Sequence, residues 1–280
     1  MKKLLMAGLA LSTACKSGSG ETQKIAAKAA PGSGSQSPPA VAAAAISSDS
    51  ALTPNALAML RRYDLSPLWA NQTEMMKTHP TLEGFYGPAY YRISFYFSSV
   101  RRDARQPNVF HVEGLDRYKR VITPFVGTIT VQSVRPFTKA MFADLDSTGR
   151  AFTAAGRFEF AEDPATKGAG RYAGQALLDF SLDAQGHLDH AIQLVGPDNE
   201  NPTKGCGLLF RGTQVSNKTG QRHSVAFANY YGAVVPQALK SLGLGDRSEE
   251  VNPNLAKLGW NEAWENDEWW AKSPKPGLAL

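Results

Sequence analysis

The chain of 280 residues has only two cysteines and no apolar run long enough to cross a bilayer. A membrane-spanning helix needs about 20 consecutive apolar residues, and the stretch at residues 4–11 is far shorter. The sequence also has no Gly-x-Ser-x-Gly, His-Glu-x-x-His or phosphate-loop pattern, which mark common hydrolase, zinc-protease and nucleotide sites. These absences exclude a disulfide-rich scaffold, a helical membrane protein and the enzyme classes that carry those motifs.

The start of the chain predicts a signal peptide over residues 1–14. Two lysines begin it, an apolar stretch follows, and small residues precede Cys15, which is the arrangement of an export signal. A small-residue run that ends in Cys resembles the lipobox of bacterial lipoproteins. In that family the cysteine receives a diacylglycerol and a palmitate-type acyl chain, and the chain is cut before it. The resemblance implies a lipidated Cys15, and the alternative is a secreted protein cut after Ala14.

A lipidated Cys15 implies a membrane anchor. Each buried methylene contributes about 0.8 kcal/mol, and stable anchoring takes more than one acyl chain. Lys16 follows the cysteine, and the absence of Asp at that position resembles the sorting signal for export to the outer membrane. We therefore expect a lipoprotein of the cell envelope, held at the outer membrane and facing either the periplasm or the cell surface.

Residues 15–50 are predicted to be the lipidated cysteine and a flexible tether. Gly, Ser, Ala and Pro dominate this stretch, so it cannot bury enough apolar surface to offset the entropy of ordering. The net charge of the whole chain is +5. The signal holds two lysines, and residues 16–48 hold three lysines and one glutamate, which leaves +1 on the remainder. Such a small excess does not indicate a nucleic-acid partner.

The folded part is predicted to be mainly all-β. Residues 51–80 form a short helical segment, with a helix over about 54–62 that begins after Thr53 as N-cap. Residues 81–232 then alternate apolar and polar side chains, as in "YYRISFYF", between short turn signals. Alternation with short turns predicts antiparallel pairing. We expect a meandering, calycin-like β-barrel, which removes exposed edges, or else a β-sandwich, with short flanking helices.

Several segments carry a family resemblance. The stretches "RISFYF", "RYKRVITPFVGTITV", "GRFEF", "GQALLDFSLDAQG" and "NPNLAKLGWNEAWEN", over about residues 82–266, resemble a group of uncharacterised bacterial lipoproteins with an antiparallel β body. No catalytic residues carry over from that group. The overall shape is also similar to calycin-type barrels. The Gly-x-Trp opening of lipocalins is replaced here by Gly84 and Tyr86.

The C-terminal part, residues 233–280, does not continue the alternation of apolar and polar residues that predicts strands. A short helix is predicted from about Pro236, and the stretch "GWNEAWENDEWW" then holds four of the five tryptophans, at Trp260, Trp264, Trp269 and Trp270. One interpretation is a lid that packs its indoles on the barrel or across one mouth. The other is an aromatic platform for a sugar, an acyl chain or a partner protein. The acidic flanks weigh against membrane insertion of this segment.

A basic cluster at Arg117, Lys119 and Arg120 is the second candidate ligand site. These side chains come next to a predicted turn between two strands. One interpretation is solubility and edge protection. The other is an anion site for lipid headgroups or acidic glycans.

The sequence contains few candidate catalytic residues. In "HLDH", His187 and Asp189 share a face of a strand whereas His190 points away, and zinc needs three or four ligands. Glu159 and Asp179 lie on polar strand faces and would form a carboxylate pair if their strands brought them together. We therefore name no catalytic residue, metal or cofactor. The favoured function is a non-enzymatic ligand- or partner-binding module, and the alternatives are an envelope hydrolase using such a pair or a His/Asp site, and a purely structural envelope protein.

Overall fold

The computed structural model describes residues 52–136, 150–192, 201–242, 252–263 and 268–271. The predicted signal peptide, Cys15 and the tether lie outside these residues, and so does Trp264.

Antiparallel strands make up most of the described chain. They are β1 (Leu82–Tyr86), β2 (Tyr91–Arg102), β3 (Val109–Tyr118), β4 (Val121–Pro136), β5 (Arg150–Glu162), β6 (Gly170–Leu182), β7 (Leu188–His190), β8 (Leu208–Ser216) and β9 (Arg222–Ala228). The α-helices are α1 (Pro54–Arg62), α2 (Ser66–Trp69) and α3 (Pro253–Ala256). Short 3₁₀ helices cover Glu74–Met76, Tyr231–Val234, Gln237–Leu242 and Trp260–Ala263.

Eight of the strands form a closed ring. From β1 the pairing runs through β2, β3, β4, β5, β6, β8 and β9 and returns to β1, and every pairing is antiparallel. Each of these eight strands thus has a hydrogen-bonded partner on both sides, which protects the strands of the ring from edge-to-edge aggregation. The short β7 pairs with the last residues of β6, beyond the end of β8. The predicted all-β, antiparallel fold class is confirmed.

Phenyl rings fill the interior of the ring. The Phe95 and Phe227 rings are stacked with centroids 3.9 Å apart, and Phe210 stacks on Phe227 at 4.7 Å. These phenyl groups come from three different strands, β2, β9 and β8, so the aromatic stack packs these strands against one another in the core. The same core holds further buried phenylalanines, at Phe97, Phe110, Phe125, Phe158 and Phe160.

One end of the ring, which we call the capped end, is closed by the N-terminal helices. The predicted helix over 54–62 is confirmed as α1, where Thr53 Oγ1 accepts a hydrogen bond from Ala56 N at 3.2 Å. The Trp69 indole of α2 is fully buried and lies 6.3 Å from Phe110 and 6.2 Å from Phe210. The described body also begins here, because Leu52 packs against the same core.

The opposite end, which we call the turn end, is formed by four hairpin turns. They connect β1 to β2, β3 to β4, β5 to β6 and β8 to β9. The turns cover residues 87–90, 119–120, 163–169 and 217–221.

The C-terminal segment packs on the outside of the ring. Trp260 lies 4.8 Å from Phe85 of β1 and 5.0 Å from Tyr231, between ring centroids. Together with Leu239 and Leu255 these residues form a second apolar cluster on the outer face of the sheet. The helix predicted from about Pro236 is a 3₁₀ segment at Gln237–Leu242. Among the described helices, none has both the length and the apolarity to cross a membrane.

Candidate functional site

The β3–β4 turn is the most unusual backbone feature of the turn end. Tyr118 pairs with Val121, which leaves Lys119 and Arg120 as a two-residue loop with φ angles of +49° and +65°. Two positive φ angles define a type I′ turn, which normally uses Asn-Gly or a similar pair. Residues with a Cβ are disfavoured in this conformation, by roughly 1–2 kcal/mol each. A turn held in this conformation by two long cationic residues therefore points to function.

These cations line a small polar pocket on the outer face of β2 and β3, which we call the basic pocket. Arg117 lies opposite Ser94 across the two strands. The pocket has room of about 10 Å³, enough for roughly one water molecule or one oxygen of a larger anion. Its lining is Tyr91, Arg92, Ser94, Arg117, Lys119, Arg120 and Gly259. All three cations of the predicted cluster thus line the same pocket.

The surroundings fix two of the cationic side chains. Arg92 Nε donates to Glu83 Oε2 at 2.9 Å, and both side chains are largely buried. Lys119 Nζ lies 5.2 Å and 5.3 Å from the ring centroids of Tyr91 and Tyr118, which is the range of a cation–π contact. Glu83 pairs with Arg92, and three further cationic residues, Arg117, Lys119 and Arg120, line the same pocket. Guanidinium and ammonium groups in such an arrangement bind phosphate or carboxylate oxygens.

The tryptophans do not form one exposed platform among the described residues. Trp260 is 2% exposed and Trp269 is 8% exposed. Trp270 is half-buried and stacks on Tyr96 of β2, with ring centroids 5.9 Å apart. This placement agrees with a segment that packs on the ring. A role of these tryptophans in ligand binding remains a prediction.

The carboxylate pair considered from the sequence does not form. Glu159 and Asp179 both lie on the outer face, but Glu159 is opposite Ala173 whereas Asp179 is opposite Thr153. Six positions along a strand correspond to roughly 20 Å, so the two carboxylates cannot act on one bond. The alternation of apolar and polar residues correctly predicted that both carboxylates lie on the outer face. The register between β5 and β6, which the sequence does not show, keeps Glu159 and Asp179 apart.

Asp179 instead anchors the loop that covers it. It is fully buried under residues 201–207 and accepts hydrogen bonds from Thr203 N at 3.1 Å and Thr203 Oγ1 at 2.6 Å. Thr153 Oγ1 donates to the same carboxyl at 2.6 Å. Burial raises the pKa of Asp179, and these hydrogen bonds oppose the shift.

The histidines of "HLDH" also have separate partners. His187 Nδ1 lies 2.8 Å from Asp183 Oδ2 at an exposed turn. His190 is buried with Nε2 2.9 Å from Leu68 O, and burial lowers the pKa of its imidazole. Within the described part of the chain, no group of three or more His, Cys, Asp or Glu residues could hold a metal ion.

The buried Cys206 is a packing residue. It is free of disulfide bonding, its Sγ donates to Thr203 O at 2.8 Å, and burial raises the pKa of the thiol to about 12. A thiol with so high a pKa forms almost no thiolate near neutral pH and is a poor nucleophile.

A buried carboxyl pair does exist inside the ring at the turn end. Asp116 of β3 is 1% exposed and lies next to Glu162 of β5. Glu162 Oε2 also accepts from Gly170 N at 2.6 Å and from Gln214 Nε2 at 2.9 Å. Tyr86 donates in turn to Gln214 Oε1 at 2.8 Å. The result is a polar layer above the aromatic core.

Sequence reasoning missed this pair, although a signal was present. In β3 the inward positions are Phe110, Val112, Gly114 and Asp116, so a carboxyl occurs where an apolar side chain belongs. Desolvation raises the pKa of Asp116 well above its ordinary value, and the neighbouring Glu162 adds to the shift. The pair therefore shares a proton at a pH where an isolated carboxyl would be ionised.

Comparison with known proteins finds no matching family model, no matching curated protein and no matching solved structure.

Proposed function

We propose that this chain is an exported, lipid-anchored protein of the cell envelope whose ring is a non-enzymatic binding module for an anionic envelope component. The basic pocket carries the proposal, because Arg117, Lys119 and Arg120 converge there beside a strained turn. A hydrolase has less support, since Glu159 and Asp179 lie roughly 20 Å apart along their strands.

The chemistry of the pocket suits an oxygen-rich anion. Arginine offers several N–H donors in a fixed plane, which match the oxygens of phosphate and carboxylate groups. The Arg92 side chain is held by Glu83 and Lys119 lies over two tyrosine rings. Less side-chain entropy is then lost on binding than at a cluster of unrestrained cations.

The position of the pocket agrees with attachment through the N-terminus. The described body begins at Leu52 beside the capped end, where α1 starts. The basic pocket lies toward the turn end, next to the β3–β4 turn. A tether ending at residue 50 would thus join the body away from the binding site.

Titration with inorganic phosphate, followed by amide NMR shifts, tests the binding site. We expect shifts concentrated at residues 91–94 and 117–120, and about a tenfold weaker affinity in Arg117→Gln, because a hydrogen bond to a charged group contributes about 1.5–3 kcal/mol. Arg105→Gln, an exposed cation at the capped end, is the control. Equal weakening by both changes, or no shift at all, would reject the binding site and favour a purely structural protein.

Cell fractionation of Cys15→Ser tests the anchor. The unchanged chain is expected to stay in the membrane fraction through a wash at high salt, which screens contacts that depend on exposed charge. The variant, which lacks the sulfur that would carry the acyl chains, is expected to leave that fraction in the same wash. A variant that is still processed normally and still sediments with membranes after the wash would reject lipid anchoring while leaving the phosphate result unaffected.

A further inference from the structure

The turn end carries positive charge that the small net charge of the folded part conceals. Three of its four turns, with the strand residues beside them, expose six cationic side chains. Among the residues of the turns themselves the only carboxylate is Asp163, whereas Asp116 and Glu162 are buried inside the ring. The exposed cations are Lys119, Arg120, Lys167, Arg171, Lys218 and Arg222.

Beside these cations, the first half of β4 exposes apolar side chains to solvent. Val121, Ile122 and Val126 are 45%, 42% and 60% exposed. The only other large hydrophobic residue exposed to this degree in the described ranges is Tyr230. Three such residues on one short stretch form a patch of the kind that marks an interaction surface.

A shallow groove extends this apolar strip along the outer face. It has a volume of about 300 Å³, and its lining is Pro124, Phe125, Val126, Ala161, Glu162, Asp163, Pro164, Arg171 and Asn217. The groove is thus apolar along β4, with Arg171 beside two carboxyl groups at its other side.

We propose that the turn end docks onto the surface of an anionic phospholipid bilayer, with Val121 and Ile122 entering the headgroup region and the surrounding cations contacting lipid phosphates. This inference rests on the proposed function, since it identifies the anionic component that the basic pocket binds.

A bilayer would account for both the cationic and the apolar parts of this surface. A lipid interface places phosphate charge directly above an apolar layer, and this suits a hairpin tip where Lys119 and Arg120 are followed by Val121 and Ile122. A soluble glycan would satisfy the cations but leave the apolar tip in water. The cations are also spread over three turns, which matches a two-dimensional array of phosphates better than a single small ligand.

The predicted anchor and tether are compatible with this docking. The acyl chains of a lipidated Cys15 and a basic patch on the body would act on the same membrane as two separate signals for association. A tether of about 35 residues has a fully extended length of roughly 115 Å. It allows the body to present its turn end to the membrane while it remains attached through Cys15.

Vesicle co-sedimentation of the full chain carrying Cys15→Ser tests the docking without the acyl chains. The vesicles contain either phosphatidylcholine alone or phosphatidylcholine with about 30% phosphatidylglycerol. Binding is expected only to the anionic vesicles, and it should weaken as NaCl is raised, because salt screens exposed charges. Equal binding to both compositions, or no binding to either, would overturn the proposal.

Two pairs of substitutions distinguish the contribution of the cations to vesicle binding from that of the apolar side chains. Lys119→Asn with Arg120→Gly introduces the residues that a type I′ turn prefers and removes two cations, so we expect binding to fall roughly 25-fold, or about fivefold per cation. Val121→Ser with Ile122→Ser should lower binding about tenfold. The matched controls are Tyr230→Ser and the pair Arg61→Gln with Arg105→Gln, which should change binding less than twofold.

Phosphate titration of the same variants distinguishes the two proposals. Val121→Ser with Ile122→Ser should leave phosphate affinity unchanged while vesicle binding falls. Phosphate binding without vesicle binding, or vesicle binding that the controls weaken equally, would reject bilayer docking but keep the anion site. Loss of both responses would reject the site and the docking together.

Discussion

The polar layer at the turn end shows how single residues set the pH response of the ring. Asp116 and Glu162 are buried together, and the side chains that surround them in the polar layer, Tyr86, Tyr172 and Gln214, carry no positive charge. Two carboxylates this close cannot both ionise at low cost. The fold therefore binds one proton more tightly than the unfolded chain does.

The replacement Asp116→Asn should reduce this pH dependence. Because the folded pKa of Asp116 lies above its ordinary value of 3.8, stability is greatest below that value and is lost as the pH rises through the raised pKa. Asn stays neutral, so the free energy of unfolding of the variant relative to the unchanged protein should rise with pH, by about 2 kcal/mol. Urea unfolding from pH 4 to pH 9 measures the difference, and a constant difference would contradict the shared proton.

Asp179 is expected to contribute strongly to stability rather than to catalysis. Asp179→Ala leaves the Thr153 hydroxyl and two donors of Thr203 without their acceptor, so we expect a loss of about 3 kcal/mol in the free energy of unfolding. Glu159→Gln, on the same outer face but exposed, should change it by less than about 0.5 kcal/mol. Chemical denaturation of both variants checks the contrast, and similar losses would contradict it.

Among elements, the β3–β4 turn is the clearest case of local strain. Lys119 and Arg120 both have positive φ angles, and glycine pays no steric cost there. Lys119→Asn with Arg120→Gly should therefore raise the free energy of unfolding by about 1 kcal/mol. Thermal unfolding provides the measurement. A destabilised double variant would show that the two side chains stabilise the turn through their contacts.

The elements were largely predictable because their periodicity is local. The alternation of Ile93, Phe95 and Phe97 places each of these side chains in the core as expected, and Thr53 and Pro54 begin α1 as predicted. Pairing partners are set by contacts between residues far apart in the chain. For that reason Glu159 and Asp179 looked like a possible pair, and the real pair, Asp116 with Glu162, was not recognised.

At the scale of the whole molecule, the aromatic stack should make the ring unfold as one unit. Phe227 of β9 stacks on Phe95 of β2 and Phe210 of β8, so Phe227→Ala should cost about 3–5 kcal/mol. Far-UV and near-UV circular dichroism should then show coincident transitions at a lower denaturant concentration. Tyr230→Ala, close by in sequence but exposed, is the control. Separate transitions would contradict a single cooperative core.

The pairing of β1 with β9 has a consequence for the export that we propose. The ring closes only when residues 222–228 reach β1, at residues 82–86, which are separated from them by most of the folded chain. A polypeptide threaded through a translocation channel from its N-terminus cannot complete this contact until nearly all of it has crossed. Contacts so distant in sequence also form slowly. For the exported protein that we propose, this topology would delay folding in the compartment of synthesis and keep the precursor in a state that the export machinery can still move.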